Sequence, residues 1–368
     1  MIKKEGIEIK YNLETDKIER IALIISNKIC EAFPEHNFSK NDIYSILSNI
    51  DMYISKLPEN SSVAKYSYKT NSIYLSDKLN LDNVDTLVIH ECIHAIQGVI
   101  NDKGNLIKLG LFDLSRNKGQ GLNEAAVQFM ASIATKVKTE NVKYYNLNFQ
   151  TQSPLYYPIE TALINQIIYF IGSYSIFHST IYGNNIFKNT FIAKCNQNIY
   201  EKLEKNFDLL LHYEELIEKN TRKISSQKDI TSKVDKLIEK NNSIKSKIEK
   251  TTIETQNLIF ENCFNYEFDL IRDKDSLDTF QQRLYNFSNF LISNESYTYY
   301  NNYYCEMMNK LEEKRTQIKI HGKITNLNNY STDLLNLEQA NYGVNFFKKL
   351  FAKIKILFQN AFIKENNN

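Results

Sequence analysis

The chain has 368 residues, 42% hydrophobic and 24% charged, and its 45 Lys+Arg against 43 Asp+Glu give a formal net charge of +2. That length and balance suit a folded protein of two or three domains with a sizeable core, and they exclude wholesale disorder or a collagen-like fibre. Near-neutral charge leaves no electrostatic footprint for nucleic acid, and only 4 Pro and 10 Gly favour long helices over a many-turned β sandwich.

Residues 1–10 are charged and carry no apolar run of signal-peptide type, so a cytoplasmic location is expected, with export by an unconventional route left open. Ile18, Ile21, Ile25 and Ile29 predict a helix over residues 14–33 that stops before Pro34, and residues 42–49 make a second, short one. Three segments rich in β-branched and aromatic residues, 52–57, 63–69 and 72–76, read as strands of a small sheet. From Asp82 onward the periodicity turns helical and stays largely so. One helix, capped by Asp82, reaches about Gly98; another starts near Leu122, after Gly119 and Gly121, and ends about Val137. The longest uncharged stretch, residues 161–187, contains Asn165, Gln166, Ser173, Ser175, His178 and Ser179. It is too polar for a membrane span and reads as a buried helix or helix pair.

Ile230, Val234, Leu237, Asn241, Ile244, Ile248, Thr251, Thr255 and Leu258 follow alternating steps of four and three, a heptad seam interrupted at Asn241. An intramolecular helical hairpin is the simpler reading; a coiled coil that makes a homodimer is the other. In residues 344–362, Phe347, Leu350, Phe351, Ile354, Leu357, Phe358 and Phe362 share one face beside Lys348, Lys349, Lys353 and Lys355. A basic amphipathic helix of this kind docks on its own core, or offers its apolar face to a membrane surface or a partner. The expected fold class is therefore α+β and mostly helical. A catalytic core with a small N-terminal sheet fills residues 1–197, a helical, coiled-coil-containing region 198–340, and the amphipathic helix 341–368.

The five cysteines (Cys30, Cys92, Cys195, Cys263, Cys305) are odd in number and never spaced as CxxC, which argues against a disulfide framework or a cysteine-rich zinc site. The chemistry is carried instead by His90-Glu91-Cys92-Ile93-His94, an HExxH sequence. Residues four apart share a helix face, so His90 and His94 can present two imidazole nitrogens to one ion, with Glu91 placed to reach a water on it. Zinc suits such donors and leaves a coordination position open. The flanks of this helix are apolar on both sides (Ile89, Ile93, Ile96, Ile100; Val88, Cys92, Ala95, Val99), which buries it. The alternative is two core histidines with ordinary hydrogen-bond partners. Gln97 and Ile100 stand where the longer HExxHxxGxxH pattern needs Gly and His, so the metzincin arrangement is excluded.

Downstream, Gly121-Leu122-Asn123-Glu124-Ala125-Ala126 opens the next helix. With the HExxH sequence this Asn-Glu-Ala resembles the gluzincin metallopeptidases, the thermolysin-like group, over roughly residues 72–137. The resemblance implies a zincin-like core, one Zn²⁺ per chain, His90, His94 and Glu124 as ligands, and Glu91 as the catalytic base of peptide-bond hydrolysis on a peptide or protein substrate. Where the family often has an acidic residue orienting a ligand His, this chain has Gln128, whose amide oxygen can still accept from an imidazole N–H. An ordinary solvated stripe of Glu124, Gln128, Ser132 and Thr135 is the competing reading, and Glu140 and Glu160 are other carboxylates for the third position. For the donor that stabilises the oxyanion, His178 lies at a plausible separation; Tyr144, Tyr145, Tyr156 and Tyr157 are also available, none singled out among 24 Tyr. A strand at residues 72–76 beside the active helix would receive an extended substrate at the sheet edge. The other class of function is a non-catalytic zincin-like scaffold that binds a partner or a membrane.

Overall fold

A computed structural model describes residues 6–58, 63–81, 84–226 and 232–321. The chain is mostly helical with small sheets. It divides into two compact units, the first made of Met1–Tyr266 and Leu284–Tyr304, the second of Glu267–Arg283 and Cys305–Asn368. The tail at 344–362, Asp82 and Ile230 lie outside the described residues.

The first unit opens with β1 (Glu8–Asn12), α1 (Thr15–Ala32) and α2 (Lys40–Ser48), then β2 (Asp51–Lys56), β3 (Ala64–Ser67) and β4 (Ser72–Ser76). Helix α1 buries Ile21, Ile25 and Ile29 and stops short of Pro34, whose ring cannot follow a helical residue. The four strands form one sheet in the order β1-β2-β4-β3, with β2 and β4 parallel and β1 and β3 antiparallel to their neighbours. The segment 72–76 is therefore not an edge. The chain reverses at Asn71, in the left-handed region (φ 49°), so that β3 covers β4, and β4 is buried along its whole length. The edge is β3.

Helix α3 (Thr86–Ile96) follows, capped by Asp85, whose carboxylate accepts from the Val88 N–H at 3.0 Å. The largely helical run expected from here is interrupted by strands at two places. A three-stranded sheet, β5 (Gly98–Ile100), β6 (Leu106–Leu109) and β7 (Phe112–Asp113), separates α3 from α4 (Gln120–Ala134). A hairpin, β8 (Glu140–Tyr144) and β9 (Leu147–Thr151), then precedes α5 (Pro158–Ile171). The uncharged stretch is a pair of buried helices, α5 and α6 (Ser173–Tyr182), broken at Gly172 (φ 76°). No helix among the described residues is long and apolar enough to cross a membrane.

Helices α7 (Ile186–Cys195), α8 (Gln197–Ser225) and α9 (Ser232–Asp269) continue the chain. Of the seam, Val234, Asn241, Ile244, Ile248, Thr251 and Thr255 are buried, and the Asn220 amide of α8 donates to Asn241 Oδ1 at 2.8 Å. The seam is thus covered within one chain, and its polar interruption is satisfied by a polar residue facing it. Helix α8 belongs to the first unit, so a boundary after residue 197 does not match the structure. The reason lies at the start of α4. Gly119 begins that helix with no side chain to cap it; Asp208 of α8 reaches across and accepts from the Gly119 and Gly121 N–H groups at 2.9 and 2.8 Å. A Cβ on Gly121 would stand 2.1 Å from the Phe207 carbonyl oxygen. Only glycine admits this approach.

In the second unit, which takes in parts of α9, α10 (Lys274–Asn286) and α11 (Asn294–His321), Arg283 forms a two-pronged ion pair with Glu267 at 2.7 and 2.9 Å, and Lys314 lies 4.1 Å above the Phe268 ring.

Because the obstructing atoms at Gly121 are backbone, Gly121→Ala is expected to destabilise the fold by about 3 kcal/mol or more, lowering Tm by several degrees in a thermal melt. A melt unchanged from wild type would mean that α4 and α8 do not meet here.

Candidate metal centre

His90 and His94 stand one turn apart on α3, a helix whose other faces are filled by Ile89, Cys92 and Ile93, all fully buried. Only 4% and 9% of the two residues is exposed. Helix α4 packs on α3 and brings Glu124 to the same point. The Nε2 atoms of the two imidazoles lie 3.0 Å apart, and Glu124 Oε2 is 3.2 Å from the first and 3.4 Å from the second. These three form a group able to hold a metal ion, with one donor atom each inside a 4.8 Å sphere of mutual distance. The stripe behind Glu124 is polar yet interior, with Gln128 and Ser132 each 1% exposed.

The hydrogen bonds behind the rings decide which nitrogen carries the proton. Gln128 Oε1 is 2.9 Å from His90 Nδ1. Its Nε2 donates to Ser132 Oγ and Ser153 Oγ, and the Ser153 hydroxyl is itself committed to the Tyr156 carbonyl, so the amide cannot be turned round. Gln97 Oε1 is 3.0 Å from His94 Nδ1, and its Nε2 donates to the Thr180 carbonyl at 2.8 Å, which fixes that amide as well. Each imidazole therefore holds its hydrogen on Nδ1 and turns the bare Nε2 lone pair inward. Two lone pairs and a carboxylate oxygen then face one another with no hydrogen among them. Such a cluster requires a cation at its centre, either a proton or a metal ion.

Titration behaviour follows this geometry. When the cation in the cluster is a proton, burial works to raise the Glu124 pKa, but the charge of His94 and Nε2–H hydrogen bonds from the rings outweigh it and hold the carboxyl well below the usual range. Burial likewise opposes charge on His94; Glu124 outweighs it and lifts that ring to about 9. Glu91 behaves differently. Burial raises its pKa, partly offset by the two rings and by the Tyr66 N–H of β3, which donates to Glu91 Oε2 at 2.6 Å. A carboxyl with raised proton affinity beside a cation site is suited to general-base work.

The structure brings together His90, His94, Glu124, Glu91 and Gln128, and not His178. Ser179 and Thr180 face inward on α6, while His178 turns away and its Nε2 donates to the His36 carbonyl at 2.7 Å. Its ring is packed among His36, Phe38, Tyr174 and Tyr182, where burial pushes its pKa down to about 4. The phenol beside the group is Tyr157, whose ring lies 6.1 Å from that of His90 at 21°. Tyr157 takes the left-handed conformation (φ 49°) immediately before Pro158, a strained placement for a bulky residue. Burial, then the charges of Glu124, Glu91, Glu160 and Glu214, push its pKa well above the ordinary value, so it stays protonated.

Gln97 was visible in the sequence only as a departure from another pattern; its position three residues after His94, on the same helix side, is the signal that identifies it. Its network extends to Asn123, which exchanges hydrogen bonds with Gln97 at 3.1 and 3.2 Å and accepts from the Leu111 N–H at 3.0 Å. Gly110 closes the network, since a Cβ there would sit 2.4 Å from both Gln97 and Asn123 side chains. Of the other carboxylates, Glu140 is exposed at the start of β8. Glu160 is 1% exposed, and neither of its oxygens has a hydrogen-bond partner. Comparison of the chain with protein-family models, with curated proteins and with solved structures finds no match.

Two outcomes follow from these contacts. Gln97→Leu frees the His94 ring and is expected to weaken zinc binding by about 10- to 100-fold in a chelator competition. Glu160 bears on stability: burial raises its pKa from 4.5 to about 7. Its folded form thus holds a proton that the unfolded form gives up, and stability is lost as pH rises across that interval. Glu160→Gln should flatten this decline, with a Tm above that of wild type at pH 8 and a smaller difference at pH 5; parallel curves would contradict it.

Proposed function

We propose that this chain is a zinc-dependent peptidase of gluzincin type, in which His90, His94 and Glu124 hold one Zn²⁺ per chain. The single observation that supports it is the convergence of three hydrogen-free donor atoms, each ring fixed from behind by an amide. The resemblance at His90–His94 and Asn123-Glu124-Ala125 points the same way, toward a zincin-like core. An ion held there supplies Lewis acidity, polarising a peptide carbonyl and making a water acidic near neutral pH.

The chain's own residues do the rest. Glu91 accepts a proton on Oε1, the oxygen that the Tyr66 N–H leaves free, and delivers it to the leaving amine nitrogen. Tyr157, held protonated, donates its O–H to the carbonyl oxygen as negative charge develops there. Strand β3 is the edge of its sheet and reaches Glu91 through Tyr66, so an extended peptide aligned along β3 passes the base.

Metal analysis should find one zinc per chain, lost in His90→Ala and retained in Glu91→Gln. Glu91→Gln is expected to lower kcat by about 10²-fold or more, and Tyr157→Phe to lower kcat with little change in KM. Wild-type protein that holds zinc yet cleaves nothing across a broad peptide library would leave the non-catalytic scaffold as the function.

A further inference from the structure

Beside the metal group lies a second cluster, whose carboxylates the reaction does not use. Glu160, in the first turn of α5, is buried to 1% exposure with both carboxylate oxygens unpartnered, and Glu214 of α8 presents a buried, unpartnered Oε1. Three phenols surround them: Tyr144 and Tyr145 at the β8–β9 turn, with ring centroids 4.4 Å apart, and Tyr157. All three feel the charges of both carboxylates, and Glu214 also takes a hydrogen bond from Tyr144. Lys245 Nζ lies 6.0 Å from the centroid of the Tyr145 ring, and neither acid has an ion pair with a Lys, Arg or His among the described residues. Glu214 and the phenols are partly exposed, whereas Glu160 is fully buried.

Isolated buried carboxylates cost stability, and two that act on each other cost more. The fold keeps both, lined with aromatic rings whose faces attract cations. Tyr157 joins this cluster to the metal group, because the charges of Glu91 and Glu124 act on the same phenol. We propose that Glu160, Glu214, Tyr144 and Tyr145 form a subsite for an organic cation, the ammonium or guanidinium group of a peptide substrate bound at the neighbouring metal centre. That the cation belongs to a substrate rests on the peptidase reading; that a cation binds here does not. The carboxylates supply the acceptors an ammonium or guanidinium requires, and the phenol rings exclude water from it.

Isothermal calorimetry on the wild-type protein tests this without any cleavage, using n-butylguanidinium, n-butylammonium, leucinamide and the neutral n-butylurea. Butylguanidinium or butylammonium should bind at least about tenfold more tightly than butylurea, the difference a buried charged hydrogen bond makes. Preference for either over leucinamide assigns a Lys or Arg side chain; preference for leucinamide assigns the amino terminus. Glu160→Gln and Glu214→Gln should each reduce the preference for the cation by about tenfold. Binding of butylurea as tight as that of the cations, no binding by any probe, or an unchanged preference in both variants overturns the proposal and leaves two carboxyls that merely share a proton. Zinc content and cleavage, measured on the same preparations, report separately on the peptidase reading.

Discussion

Two imidazole lone pairs and a carboxylate oxygen, turned toward one another inside a packed helix pair, set the terms for the rest of the first unit. With no cation among them they repel, and a proton or a metal ion is what relieves them. Gln128 and Gln97 hold the two rings in the tautomer that makes the repulsion worst, and each amide is locked in its turn by a hydroxyl or a backbone carbonyl that can bond it in only one orientation. A core histidine kept for packing would be free to place its proton wherever it was satisfied. These two are not, and a fixed tautomer of this kind is what a metal ligand requires.

The supporting contacts come from places far apart in sequence, and their reach explains the irregular parts of the fold. The loop around Ser153 and Tyr156 steadies Gln128 and also delivers Tyr157. The turn at Gly110 and Leu111 completes the Gln97 and Asn123 network, with Thr180 of α6 at its far side. The left-handed residues Gly110, Gly119 and Tyr157 lie where the backbone must bend sharply to bring one of these groups into place. Of the three, Tyr157 alone has a side chain that disfavours this conformation.

How much of this could be read from the sequence depends on how local the signal is. His90, Glu91 and His94 declare themselves because their spacing alone puts them on one face, and the Asp85–Ile96 region carries its own cap and apolar flanks. Glu124 needed its Asn and Ala neighbours. The helices of the uncharged stretch were legible from composition, and the seam on α9 from its steps of four and three. Tyr157 was hidden, since a left-handed residue before proline has no pattern among 24 tyrosines. The order of strands was hidden too, because which of 64–67 and 72–76 ends the sheet is settled by pairing and not by either segment. The hairpin of β8 and β9 left a trace in the alternation of Val142, Tyr144, Leu147 and Phe149, which the helical periodicity on both sides obscured.

Asp208 carries one last consequence. The helix that bears Glu124 starts with two amide hydrogens answered only by a carboxylate from some ninety positions later in the chain. Excising the stretch up to residue 197 would sever that tie and expose the α4 surface on which α8 lies. The long helix that follows is thus a structural part of the unit that holds Glu124, and α4 depends on it for its first turn.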